Sequence, residues 1–537
     1  MPEAERFDPV TLEVLWTRLI STVDEAAAAL VRTSFSTVVR ESNDFACVLT
    51  DARGYSLVQA TDSIPSFIGT VPRTIREFLK EYPAHSLAPG DIIATNDIWL
   101  GTGHLPDITV AKPIFRNDVL VGFAGSVAHA PDIGGRIRSA DSREVFEEGL
   151  QIPPLKVVHA GAPDETFLRL LRKNVRVPDQ VVGDLFAQFS ALDLMERQVL
   201  ALMREHRLDD LAALADEIQG RSEQAMRKAI REVPDGVYEQ TMVTDGLEQP
   251  IRLKLKLSVR GDAIDIDFAG TDAQVARAIN VAMCYTYAYT AYGVKAALCP
   301  GVPNNEGALR PITIRAPLGS ILNSRPPAAG GARAVVGHFL PMMVLLALSR
   351  ALPERVVAGV GSPLWCVNYA GVDAGGKSIA GMFFANGGYG ASARRDGYNV
   401  LSWPSNISST PVEMIEQLSP LKFHYRRLRT GTGGDGRHRG GLGQECLIES
   451  RAPGPLTVSF LAERTRPEAA APGIAGGEAG APGIVLIDGV PADAKRQHVI
   501  GTGARIELRT PGGGGYGPPA ERLPSARADD LLDGYTA

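Results

Sequence analysis

DIIATNDIWLGTGHLPDITVAKPIFRNDVLVGFAGSVAH, running from Asp91 to His129, is the stretch on which the reading of this chain turns. It opens on a short apolar run, Asp91–Asp97, and breaks into a glycine loop. It then resumes as two strand-like runs, Ile108–Phe115 and Val119–His129, joined by Arg116-Asn117-Asp118. Asparagine and aspartate tolerate left-handed backbone, so this joint predicts a hairpin. His104 and Asp107 stand three apart where the loop re-enters strand, and His129 closes the return strand. Two imidazoles and a carboxylate brought from neighbouring strand ends suit a divalent metal and leave positions open for water and substrate. An isolated His-x-x-Asp is more often a local hydrogen-bonded pair; His129 on the adjacent strand strengthens the metal reading, which on spacing alone stays the less common one. A fourth oxygen is available from Glu41 or Asp44, in Arg40-Glu-Ser-Asn-Asp44.

Outward from this stretch, apolar residues at Val10, Val14, Leu15, Leu19, Val23, Ala26, Leu30 and Val31 predict a helix from Asp8 to about Arg40, with Asp8 as cap and Pro9 in the first turn. A strand over Phe45–Thr50 and a helix near Pro72–Tyr82 follow. Asp164–Glu232 reads as mostly helical, broken at Pro178. Asp235–Gly270 reads as strands turning at Gly261-Asp262. Ala276–Leu298 and Gly337–Leu352 are helical in spacing, and the chain beyond Glu354 is β-rich with glycine loops. The polar tail after Pro518 is expected to fray. Strand-rich and helix-rich blocks alternate irregularly, which predicts an α+β class: a large, mixed, multi-lobed architecture with interleaved sheets and helices and a β-rich C-terminal part. Divisions of convenience are 1–160, an N-terminal α/β lobe carrying the metal site; 161–235, a helical segment; 236–428, a central α/β lobe; and 429–537, a β-rich glycine-loop lobe.

Composition narrows the function classes. The 537 residues carry a net charge of -6, with no long Lys/Arg run, which argues against nucleic acid as a partner. The acidic N-terminus has no apolar signal core, and the most apolar run, from His338, is interrupted by Pro341 and Arg350 and reads as a core helix rather than a membrane span. Five scattered cysteines without a CxxC fit reduced thiols and a cytoplasmic location. His159, His206, His424, His438 and His498 lack ligand-type neighbours in sequence and read as structural. Gly371–Ser378 matches GxxxxGK[ST] letter for letter, but strand-like runs flank it on both sides. A phosphate-binding loop must open a helix, so Asp373–Lys377 reads as a hairpin turn. Gly512–Gly515 need glycine for backbone reasons and prove no ligand.

NDIWLGTGHLPDITVAKPIF and GSVAHAPDIGG, with DPVTLEVLWTRL and RESNDFACVLTD before them, resemble the hydantoinase B/oxoprolinase family. EGLQIPPLKV (Glu148–Val157), DFAGTD (Asp267–Asp272), VPNNEGALRPI (Val302–Ile312), NGGYGA (Asn386–Ala391), TPVEMIE (Thr410–Glu416), RHRGGLG (Arg437–Gly443) and PGGGGYG (Pro511–Gly517) extend the resemblance over nearly the whole chain. The resemblance implies metal ligands at His104, Asp107, His129 and Glu41. It implies a divalent ion, with Mn, Zn and Fe all compatible, and ATP bound by a hydantoinase A-type partner subunit rather than by this chain. It also implies a hetero-oligomer with two copies of each chain.

The expected activity is ATP-dependent ring opening of a cyclic amide, such as a hydantoin, oxoproline or a lactam. A partner phosphorylates the carbonyl oxygen and this chain hydrolyses the product, because a divalent ion lowers the pKa of coordinated water by several units. Asp132 or Asp44 would orient or deprotonate that water; both also read as turn residues. Asn305, Arg310 and Arg333 are candidate substrate-binding residues, with turn, surface and helix-start roles as the alternatives. An ATP-dependent ketone carboxylase subunit and a non-catalytic scaffold are the competing classes.

Overall fold

The computed structural model describes residues 7–536. Its first helix, Pro9–Thr33, starts where Asp8 accepts hydrogen bonds from the amides of Val10 and Thr11 at 3.1 and 3.0 Å. The buried stripe is Leu12, Leu15, Leu19, Val23, Ala26 and Leu30, at three- and four-residue spacing. Val10 and Val14 lie on the outer face instead, 73% and 45% exposed. The helix stops seven residues short of Arg40 because Asp184 captures the amides of Phe35 and Ser36, at 2.7 and 3.1 Å. Ser36 then caps a separate short helix, Thr37–Arg40.

A seven-stranded, wholly antiparallel sheet follows. Its order is Ser56–Gln59, Phe45–Asp51, Val119–His129, Asp107–Arg116, Ile92–Thr95, Leu155–His159, Ala162–Pro163. Asn117 and Asp118 both adopt positive φ, 48° and 63°, the geometry of a hairpin turn whose twist matches its strands. The central strands are buried on both faces, and the two-residue period sorts their side chains between two cores. Cys47, Leu49, Val110 and Ala124 face the first helix and Pro178–Glu205; Ala46, Val48, Ala111 and Phe123 face the helix Thr70–Glu81 and join a core that extends to Met283–Leu298 and Phe339–Leu348.

A second sheet, Ile312–Arg315, Ala263–Asp267, Ile251–Arg260 and Gly236–Thr244, covers the other side of that inner core. In its strand Ile251–Arg260 every second residue is buried and those between are exposed or, at Ser258, half-buried, as a one-sided sheet requires. The helix expected from Ala276 begins only at Met283. The Asn280 side chain takes up the carbonyls of Val275, Arg277 and Ala329 and the amide of Val275, holding the preceding turn out of helix.

The C-terminal part is a sandwich of two antiparallel sheets over a third core. One carries Trp365–Val372, Ser378–Ala385, Leu456–Leu461 and Gln497–Ile500. The other carries Leu421–Leu428, Gln444–Ser450, Arg505–Arg509, Ile484–Ile487 and Val490–Pro491. Trp365–Val372 pairs with Ser378–Ala385 through the Asp373–Lys377 turn, where Asp373 accepts the amides of Gly375 and Lys377; the P-loop look-alike opens no helix. At Gly388 and Gly512 an added Cβ would collide with the carbonyls of Gly441 and Thr432, so bare backbone is required where these loops stack.

The expected frayed tail is corrected: Pro524–Leu532 is a helix. Its Asp530 is buried and accepts from Arg522 at 2.6 Å and Arg439 at 3.2 Å, while Arg522 also pairs with Asp396 at 2.8 Å. Polar residues that look solvent-bound in sequence are here an internal ion network. No helix among the described residues is long and apolar enough to cross a membrane.

Candidate metal centre

Asp107 and His129 are directly opposed in the hairpin register, first residue of one strand against last residue of the other. Opposed residues share a face of the sheet with Cβ atoms about 5 Å apart. Two further bonds fix the strand end. The His129 amide donates to the Asp44 carbonyl at 3.0 Å, and the Ala130 amide donates to that of Pro106 at 2.8 Å. The loop before Asp107 turns at Gly103, φ 103°, where a Cβ would press on Arg333 and Tyr285, and so brings His104 over the pair. One ligand-type atom each from His104, Asp107 and His129 lies within 4.8 Å of the others, and all three residues are buried.

Three observations fit this trio to a divalent ion. His104 Nε2 and Asp107 Oδ1 are 2.8 Å apart yet not aligned as a hydrogen bond, as two atoms aimed at a common third point would be. Both ring nitrogens of His129 are buried with no hydrogen-bond partner among the described residues. Buried polar atoms are nearly always paired, so this concentration of orphans needs a cause. Finally, Asp107 Oδ2 accepts from Thr102 Oγ1 at 2.5 Å and Arg333 Nη2 at 2.8 Å, which orients the carboxylate and leaves Oδ1 free.

Electrostatics points the same way. Burial holds the His104 imidazole well below its ordinary pKa and His129 at about 3, with Arg333 and Arg138 adding to both; neutral imidazole is the ligating form. Burial pushes the Asp107 carboxyl up, but the contacts with His104 and Arg333 outweigh it and hold the group below the usual carboxylate range. Asp44 is raised to about 7, first by burial and then by the charge on Asp107.

Of the other residues expected at the site, Arg333 is present. It pairs with Asp107 and stacks over Tyr285, 4.2 Å from the ring centre. Asp44 lines the same cavity. Glu41 does not: it is half-buried, pairs with Arg40 at 2.9 Å and lies outside the converging group. Both oxygens of Asp132 are engaged by Arg176, at 2.6 Å to the guanidinium and 2.5 Å to the amide, as suits a loop-fixing residue. Asn305 and Arg310 are not brought to this cavity. Asn305 caps Glu306–Leu309 and donates to Ser222, and Arg310 binds Glu223 and Gln219.

Three further residues escaped sequence reading: Arg138 and His338 on the walls of this cavity, and Glu148 beside it in an adjoining one. Arg138 has no local signature. His338 sits inside the apolar run and bonds Tyr289 at 3.2 Å. Glu148 opens the block EGLQIPPLKV; its carboxylate accepts the amides of Gly331 and Gly330 at 2.6 and 3.2 Å, and burial raises it to about 7.

A family model described as hydantoinase B/oxoprolinase matches residues 8–519. The chain belongs to this family. Among hydantoinase B/oxoprolinase relatives, the B-type subunit of a putative D-/L-hydantoinase of Pseudomonas sp. (strain NS671) is 31% identical over 563 residues, covering 99% of this chain and 94% of its own. The crystal structure of the ATP-dependent caprolactamase from Pseudomonas jessenii superposes with a TM-score of 0.90 at 26% identity, over 99% of this chain and 95% of that one. A nucleotide-free acetone carboxylase structure also gives 0.90, at 20% identity, over 98% of this chain and 78% of that chain; it shares the fold. The mixed α+β class expected from sequence is therefore the hydantoinase B/oxoprolinase fold.

Proposed function

We propose that this chain is the metal-bearing subunit of an ATP-dependent cyclic amide hydrolase, completing a reaction that an ATP-binding, hydantoinase A-type partner begins. The observation that carries the reading is the convergence of buried, unpartnered His104, Asp107 and His129 atoms in a chain similar throughout to a hydantoinase B-type subunit and a caprolactamase. The hairpin at Gly371–Ser378 supports assigning ATP to the partner.

An amide carbonyl is a poor electrophile because its nitrogen donates into it. Transfer of a phosphoryl group from ATP to the carbonyl oxygen, releasing ADP, removes that protection. Water then adds to the carbon, the C–N bond breaks with a proton passing to nitrogen, and a second water splits the acyl phosphate to carboxylate and phosphate. His104, Asp107 and His129 would hold a Mn, Zn or Fe ion, which when bound makes water acidic enough to supply hydroxide near neutral pH. Thr102 and Arg333 keep Asp107 oriented. Asp44 lines the same cavity, and burial raises its carboxyl to about 7, so it would take the proton from the attacking water.

The test is to purify the chain with its co-expressed ATP-binding partner and follow ADP and ring-opened product with hydantoin, 5-oxoproline and caprolactam. Stoichiometric ADP and opened product from one of them is expected. ADP release without ring opening, together with bicarbonate-dependent product from acetone, would replace the hydrolase by a carboxylase.

A further inference from the structure

Two cavities adjoin at the centre, and only His129 and Arg138 among the described residues line both. The first holds the ligand trio. The second is walled by Pro106, Ile133, Ile137, Tyr369 and Met382 and is largely apolar.

Arg138 is held firmly by its stem. Its backbone carbonyl accepts from the Ser459 hydroxyl, and its Nε donates to the Gly331 carbonyl at 2.8 Å. The same carbonyl faces His104 Nδ1 at 3.5 Å, and Glu148 pins the Gly330–Gly331 backbone. One short loop thus sets both the imidazole and the guanidinium. The outer end of Arg138 is a different matter. Its Nη1 meets only the sulfurs of Cys366 and Met382, at 3.9 and 4.0 Å, which are weak acceptors. Among the described residues no carboxylate lies within 4.0 Å of it, whereas its neighbours Arg136, Arg176 and Arg333 are paired with Glu147, Asp132 and Asp107. Asp44 and Glu148 feel its charge without touching it. A fixed, half-buried guanidinium with no carboxylate in contact is free to take an anion, and its planar fork matches the oxygens of a phosphoryl group.

We propose that Arg138 holds the phosphoryl group of an O-phosphorylated substrate at the boundary between the two cavities. The activated carbon then faces the His104–Asp107–His129 trio, and the hydrocarbon part of the ring lies in the apolar compartment. This rests on the reading that the substrate reaches the chain already phosphorylated. It adds the residue that recognises the activated form.

Inorganic phosphate is the probe. Titrated calorimetrically into the full chain, with metal content and thermal midpoint recorded for each variant, phosphate should bind the wild type and bind Arg138→Gln at least tenfold more weakly, with Arg138→Lys intermediate. Acetate should bind the wild type far more weakly than phosphate does. In the complex with the partner, Arg138→Gln should leave ADP formation in place and lower the ratio of opened product to ADP at least tenfold. Unchanged phosphate affinity in Arg138→Gln at equal metal content, or equal binding of acetate and phosphate by the wild type, overturns the proposal. Should Arg138→Gln fail to fold, the folded Arg138→Lys decides it: phosphate affinity equal to wild type overturns it. If the wild-type complex opens no ring, the functional reading fails while the phosphate titration still reports on Arg138.

Discussion

Two of the buried clusters of charge in this molecule are built on opposite terms. Around Lys495 every group is answered. Its Nζ lies 3.1 Å from Glu463 and 3.5 Å from Asp245. Asp245 also accepts from the amide and hydroxyl of Thr465, at 2.7 and 2.8 Å, and Glu463 accepts the amide of Asp245. Around His129 the reverse holds: two imidazoles and a carboxylate are equally buried, yet both His129 nitrogens, His104 Nε2 and Asp107 Oδ1 are left without hydrogen bonds among the described residues. Burial of charge is therefore no mark of function by itself. The mark is burial without compensation, a standing cost that stability alone would not maintain.

That contrast breaks most visibly under apolar substitution. Lys495→Met strands two buried carboxylates and should cost about 3–5 kcal/mol, read as a large fall in denaturant midpoint. His129→Leu removes unpaired groups, and the metal-free protein should be as stable as wild type or more so by the same measurement. Comparable losses at both positions would erase the distinction.

Gly103→Ala tests how the loop serves the centre. Its φ of 103° and the approach of a Cβ to 2.9 Å from Arg333 Cδ predict a stability loss of about 1–3 kcal/mol. Displacement of Arg333 from Asp107 should also reduce kcat/KM by at least tenfold.

A smaller effect separates the clusters by pH. Burial raises Glu463 from 4.5 to about 7, so the folded chain binds a proton there that the unfolded chain has released. Its contribution to stability is present below about pH 4.5 and is lost as pH rises through 7. Glu463→Gln should remove that slope, so the variant gains on wild type between pH 4.5 and 7.5 in parallel denaturation series. A gap independent of pH would mean that Lys495 keeps Glu463 ionised throughout.

The smallest effect is expected at Glu41. Its partner Arg40 is on the surface side of a short helix, so Glu41→Ala should change stability by less than about 0.5 kcal/mol and leave metal content unchanged. Asp44→Asn, in contrast, should lower turnover.

The hairpin and its three candidate ligands were legible because local rules govern them. Positive-φ residues fix the turn, strand period fixes the face, and register then sets Asp107 against His129. What escaped sequence reading depends on contacts far apart in the chain. Arg138 and Glu148 act through Gly330–Gly331, nearly two hundred residues away. The partners of Asn305, Arg310 and Asp132, namely Ser222, Glu223 and Arg176, are equally remote in sequence. The first helix ended early for the same reason, through Asp184, and the tail was ordered by Arg522 and Arg439.

The most direct measurement of the central claim is the metal content of the purified chain by elemental analysis, in wild type, His104→Ala, His129→Ala and Lys495→Arg, each checked for folding. We expect about one Mn, Zn or Fe per wild-type and Lys495→Arg chain, as a single three-ligand site would hold, and essentially none in the two histidine variants. Folded His104→Ala and His129→Ala that retain the wild-type stoichiometry would contradict the account.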